Sequence, residues 1–213
     1  MKVISVNSSG LKPLKMGRRT AQTGHFKEPV GAAQVEALGL VGDAIGNARH
    51  HGGPDQAVYI YSAEDYRWWE GHLGRELSLG TFGENLTVSD FAGRPPRIGD
   101  IWNCGEVRLQ ITAPRIPCAT LAARMGDPRF AKEFARVNRG GAYARVLCGG
   151  LLECGQSVTV EPYPQPSPAV DDLFALWHNP QKDPQILRQA LAAPLAVRAR
   201  AAFEYWLALS EKP

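Results

Sequence analysis

The sequence predicts a mainly β fold with helices: a strongly bent sheet or barrel over residues 1–162, then a small three-helix domain over 163–213. Three observations predict it. Short β-branched segments recur through the first part, separated by Gly, Asp or Pro turns. Two helical stretches interrupt them, too few for a strand–helix–strand series. A proline-rich stretch then gives way to helical spacing.

Strands are expected at 2–7, 34–38, 57–61, 85–88, 105–112, 142–147 and 156–160. Gly99-Asp100 and Gly149-Gly150 read as turns between them. The first helix opens at Ser62, where Ser62-Ala63-Glu64-Asp65 resembles a capping box with Asp in place of Glu, and runs through Trp68-Trp69. A second helical region runs from Cys118 to about Val137 and breaks near Gly126-Asp127-Pro128. Residues 161–168 hold four prolines in eight, so they are extended, poor in amide donors and read as a linker. Three short helices follow. Ser167 is the expected N-cap of the first, with Pro168 at its first position and Asp171 and Asp172 at the positive end of its dipole. Asp183-Pro184 repeats the device for the second. The third follows Pro194 and places Ala199, Ala202, Phe203, Trp206 and Leu209 on one face.

Bulk properties exclude several classes. A chain of 213 residues buries roughly 70% of its unfolded surface without needing a staple. The net charge of +3 is mild, and basic residues are scattered, which argues against a nucleic-acid partner. Cys104, Cys118, Cys148 and Cys154 form neither a CxxC pair nor a disulfide framework. The N-terminus is too polar for a signal peptide, and no hydrophobic stretch follows Arg18-Arg19. No apolar run reaches the ~18 residues of a membrane span, so no membrane partner is expected and the cytoplasm is the expected location.

Four segments carry chemistry. In His50-His51-Gly52-Gly53-Pro54-Asp55, two glycines let backbone approach a ligand, and their amides can form an anion nest; taken alone, a plain glycine turn feeding the next strand is the commoner explanation. Phe82-Gly83-Glu84-Asn85 is a turn feeding a strand, commonly with a satisfied Asn. Thr23-Gly24-His25-Phe26-Lys27 suits a phosphate or a solvated loop. The fourth, Pro114-Arg115-Ile116-Pro117-Cys118, delivers an arginine and a cysteine at a helix start. Dipole and guanidinium both favour thiolate, the form that attacks carbon or binds soft metals. The other three cysteines fit the commoner part of small buried hydrophobes.

In order along the chain, TGHFKEPV (23–30), LGLVGD (38–43), HHGGPDQAVYIY (50–61), FGENLTV (82–88), GDIWNCGEVRLQITAPRIPC (99–118) and GGAYARVLCGG (140–150) resemble the MOSC family. This is the molybdenum cofactor sulfurase C-terminal domain. The tail from Val170 to Leu209 resembles the three-alpha domain of its YiiM-like branch, which protects bacteria against N-hydroxylated base analogues.

The resemblance implies a MOSC β-barrel, a molybdenum–molybdopterin cofactor and no pyridoxal phosphate. It implies that Cys118 is the metal ligand and catalytic, with His51 and Asp55 beside it. Cofactor contacts would come from Lys27, His51, Gly52, Gly53, Asn85, Arg115 and Cys118. The implied reaction is N–O cleavage of N-hydroxylated substrates, such as hydroxylaminopurines, to amine and water. Electrons would come from a separate flavin or iron–sulfur reductase, since the chain has no cluster-binding cysteine set and no nucleotide fingerprint. A homodimer is compatible with the resemblance. Gln56 departs from the family, which often has Lys there, and His25 stands where an aliphatic residue is frequent. The competing function is a carrier of the cofactor, or of sulfur on Cys118, without reductase activity.

Overall fold

A computed structural model describes residues 1–49 and 51–210. In chain order the elements are β1 (Val3–Ser8), β2 (Lys12–Met16), β3 (Arg19–Thr23), β4 (Glu28–Pro29), β5 (Ala32–Glu36), β6 (Gly39–Leu40), β7 (Val58–Ser62), α1 (Ala63–Leu73), β8 (Leu86–Val88), β9 (Ile101–Cys104), β10 (Val107–Pro114), α2 (Ala119–Met125), α3 (Phe130–Val137), β11 (Ala142–Cys148), β12 (Gly150–Glu153), β13 (Val158–Glu161), α4 (Val170–His178), α5 (Pro184–Ala192) and α6 (Val197–Ser210). A 3-10 turn, Pro54–Gln56, precedes β7.

Eight strands form the main sheet, in the order β13-β9-β10-β11-β7-β8-β1-β4. It is antiparallel except for β7 beside β8. The chain ends of the sheet meet at one bridge, Lys2 with Ser157, flanked by Val3 N to Gln156 O at 2.9 Å. The sheet is therefore strongly curled, though the contact there is a single bridge rather than a continuous ladder. A three-stranded sheet, β12-β5-β6, and the β2–β3 hairpin complete the β structure among the described residues.

One core fills the curl. Val6, Val58, Ile60, Leu86, Leu109 and Ile111 are all fully buried in it, while Tyr59 and Tyr61, alternating with Val58 and Ile60 on β7, are buried in a second core. The first core takes in Leu173 of α4, Leu187 of α5 and Phe203 of α6, so the three helices share apolar surface with the sheet. A second, aromatic core of Tyr61, Tyr66, Trp69, Phe82, Phe130 and Phe134 lies between α1, α3 and the sheet. The Trp69 indole donates to the Tyr61 hydroxyl at 2.8 Å, so this cluster carries its polar atoms paired.

The local signals at Ser62 and Asp183 act as expected: each side chain accepts a backbone amide at the start of its helix, at 3.0 and 2.8 Å. Other expectations need correction. Gly105 is not in a strand; it is the hairpin turn (φ +61°) between β9 and β10. Gly150 begins β12. The β2–β3 hairpin was not foreseen. The cap of α4 is Ala169, not Ser167, because residues 167–169 are held extended against 96–98. There Ile98 N donates to Pro168 O at 3.1 Å and Val170 N to Pro96 O at 2.8 Å. The proline run is accordingly laid on the sheet, with Tyr163 packed against the core. On α6, Leu209 is exposed, and Leu207 packs instead. Cys148 and Cys154 are exposed; only Cys104 is the buried hydrophobe expected of all three.

Candidate active site around Cys118

Cys118 ends the extended run after β10 and is the N-cap of α2. The prolines on either side of Arg115-Ile116 fix that geometry before the helix begins. Burial raises the Cys118 pKa, but three groups outweigh it: a hydrogen bond with His51, the positive charge of Arg115, and the Leu121 amide. Together they bring the thiol down to about 6, from an ordinary 9.0. Cys104, by contrast, is pushed up to about 12 by burial alone.

Arg115 is 2% exposed. Its Nη2 donates to His25 Nε2 at 3.2 Å and reaches Cys118 Sγ at 3.9 Å. Its guanidinium lies over the rings of Tyr59 and Phe134. Among the described residues no carboxylate pairs with it, which leaves the Cys118 thiolate as its counter-charge. A cation so buried needs a negative partner.

A cavity of about 370 Å³ opens beside Arg115, with Cys118 behind that residue and outside the lining. Its walls include His25, Lys27, His51, Gly52, Asn85, Arg115 and Tyr143. His25 is held neutral by burial first and then by the charges of Arg115 and Lys27. Its Nδ1 is buried with no partner among the described residues. Gly83 (φ +83°) is required beside it, because a Cβ there would stand 2.9 Å from the imidazole ring. His25 is thus a wall of the cavity and not part of a solvated loop.

Lys27 and Asn85 are not free donors. Lys27 is buried and ion-paired with Asp43. Asn85 Nδ2 also donates to Asp43, at 2.9 Å, while its Oδ1 accepts the Tyr59 amide at 3.1 Å. The Lys27 pKa is lowered, chiefly by burial, although Asp43 opposes the shift. Asp43 therefore organises this side of the cavity, and sequence reasoning did not single it out although it closes the LGLVGD block. Glu84, next to Asn85, is also fully buried; it accepts from Tyr66 at 2.6 Å and Thr87 at 2.9 Å.

Two expected site residues lie elsewhere. Gly53 and Asp55 do not line this cavity; both face α6. Asp55 Oδ2 accepts the Val197 amide at 2.8 Å and its Oδ1 pairs with Arg145 at 2.9 Å. Asp55 is therefore corrected from a catalytic candidate to a contact with the tail. Of His50 and His51, His51 lines the cavity, and His50 lies outside the described residues.

The comparisons with known proteins bear on this arrangement. The MOSC domain model matches residues 47–159, which carry the His51 loop, Asn85, Arg115 and Cys118. The chain belongs to the MOSC domain family. Within it, its kind is YiiM-like. Protein YflK of Bacillus subtilis is 34% identical over 157 residues, 73% of this chain and 71% of that one. YiiM of Escherichia coli is 27% identical over 78% of this chain and 75% of that one. A Gibberella moniliformis protein named a reductase is 30% identical over 76% of this chain but only 30% of its own length. The crystal structure of YiiM from Geobacillus stearothermophilus superposes with a TM-score of 0.78 at 25% identity, covering 97% of this chain and 98% of that one.

Proposed function

We propose that this chain is an oxidoreductase that holds a molybdenum–molybdopterin cofactor on Cys118 and reduces N-hydroxylated compounds to amines and water. The observation that carries it is the Cys118 sulfur 3.9 Å from a buried Arg115 that has no carboxylate partner among the described residues and that itself lines a 370 Å³ cavity. Membership of the MOSC family supports the reading, as do YiiM and the reductase-named relative.

The donors present suit that cofactor. No group of three or more His, Cys, Asp or Glu among the described residues could hold a bare metal ion. A metal that arrives with its own sulfur ligands needs only one soft protein donor, and Cys118 is that donor. Arg115 and the unpartnered Nδ1 of His25 fit an anionic, hydrogen-bonding group in the cavity. When bound, the cofactor would supply the two-electron chemistry that N–O cleavage needs. The chain's own residues do the rest. His51 and Arg115 keep Cys118 ionised. The Asp43 network fixes Lys27 and Asn85 without adding net charge. Tyr59, Phe82 and Tyr143 exclude water from the inner wall. The fold would then be the closed MOSC barrel, and electrons would come from a separate flavin or iron–sulfur reductase.

The test is reduction of a hydroxylaminopurine by protein made in a molybdate-replete host, with a reductase as donor. Turnover by the wild type and none by Cys118→Ser is expected. Stoichiometric molybdenum without N–O reduction by any donor would favour a cofactor or sulfur carrier instead.

A further inference from the structure

The three helices at the C-terminus reach the site through one short stretch. Arg198, in the first turn of α6, donates from Nη1 to Gly52 O at 2.9 Å and to the Gln56 side chain at 2.7 Å. Its Nη2 donates to Ala48 O at 2.8 Å. These backbone acceptors stand on either side of His51. The neighbouring Val197 amide is capped by Asp55, and Arg145 ties Asp55 to Pro194 O at 3.2 Å. Ala196 N donates to Thr112 O at 3.0 Å, and Thr112 Oγ1 donates back to Asp55 O at 2.6 Å.

We infer that residues 194–198 are a clamp that positions the His51 loop, making Arg198 a positioning residue for the active site. The inference rests on the reading of the Cys118 cavity as that site. Three features carry it. Gly52 and Gly53 both hold positive φ (+69° and +85°), so the loop has the freedom that an outside hold must remove. Among the described residues from Ala48 to Gly53 the local backbone bonds are two, His51 N to Asn47 O and Gln56 N to Gly53 O, both at 3.0 Å, and the carbonyls of Ala48 and Gly52 are held by Arg198 instead. The planar fork of Arg198 holds two separated carbonyls and a side-chain oxygen from two nitrogens at once. His51 in turn lines the cavity and favours the ionised form of Cys118. The tail is thereby part of the site's construction, not an appendage.

The experiment is hydrogen–deuterium exchange on the cofactor-free full chain, read at residues 47–53, for Arg198→Ala and Arg198→Lys, with Tyr205→Ala as control. Tyr205 is exposed on the same helix. Arg198→Ala should raise exchange in 47–53 about tenfold while α6 stays protected. Arg198→Lys should fall between, since a single ammonium nitrogen replaces the two guanidinium nitrogens that reach Ala48 and Gly52 separately. Tyr205→Ala should match the wild type. Loaded enzyme should lose kcat in the same order, with KM moved less. Wild-type exchange at 47–53 in both Arg198 variants would overturn the clamp, as would a rise equal to that in Tyr205→Ala. Because exchange needs neither cofactor nor substrate, a protein with no reductase activity but a loosened loop would count against the function and not against the clamp. Should Arg198→Ala fail to fold, Arg198→Lys alone decides the question.

Discussion

A single thiol is the group on which the site turns. The Cys118 pKa of about 6 lies below an ordinary 9.0, so the ionised form is present above pH 6 and is lost as pH falls through it. In cofactor-free protein lacking the exposed Cys148 and Cys154, alkylation should rise through pH 6 and level off by about pH 7.5. Cys104, held near 12, should stay silent. Alkylation that rises only near pH 9 would contradict the His51 and Arg115 contacts. Gly83→Ala is the second test at this scale. Its Cβ would press on the His25 ring from a left-handed backbone, costing about 1–3 kcal/mol. Urea denaturation should show that loss, and an unchanged midpoint would mean that His25 is free to move aside. These residues were unequally legible in the sequence. Prolines and glycines mark the Cys118 and His51 segments because they restrict or free the backbone where side chains must be aimed. Asp43 carries no such mark: it looks like any loop acid until Lys27 and Asn85 are seen to converge on it.

At the scale of elements, the helix starts with explicit caps are the firmest. Ser62→Ala removes the acceptor for the Asp65 amide and should cost about 1 kcal/mol, measured by urea denaturation. No change in midpoint would mean that α1 is held by packing alone. Trp69 is fully buried among Phe82, Phe130 and Phe134, so Trp69→Ala should cost about 3–5 kcal/mol. The alternating strands of the main sheet were readable because one face must be apolar. The β2–β3 hairpin was not: it carries Lys12, Pro13, Lys15 and Arg19, and only Leu14 and Thr23 are buried. Its pairing is a property of the backbone, with little hydrophobic signature. The α4 cap failed for another reason. Ser167-Pro168 has the right local chemistry, but the Arg97–Ala169 bridge and its neighbours keep that stretch extended. Tertiary pairing outweighed a local preference worth about 1 kcal/mol.

Taken as a whole, the sheet and the three helices share one apolar core, with Ile98, Leu109, Leu173 and Phe203 in the same cluster. Calorimetry should therefore give a single cooperative transition, with no separate melting of residues 163–210. Two resolved transitions would show that the composition change near residue 162 marks an independent unit after all. The sequence could signal that change, but not that α6 returns to the His51 loop, because Arg198 and Gly52 are 146 residues apart. No described helix is long and apolar enough to cross a membrane. The central claim is that Cys118 is the one protein ligand of a molybdenum cofactor, and metal analysis tests it most directly. Protein from a molybdate-replete host should carry close to one molybdenum per chain. Cys118→Ser, correctly folded, should carry almost none, because a hydroxyl is a harder and far less acidic donor. Equal molybdenum in both proteins would contradict the account.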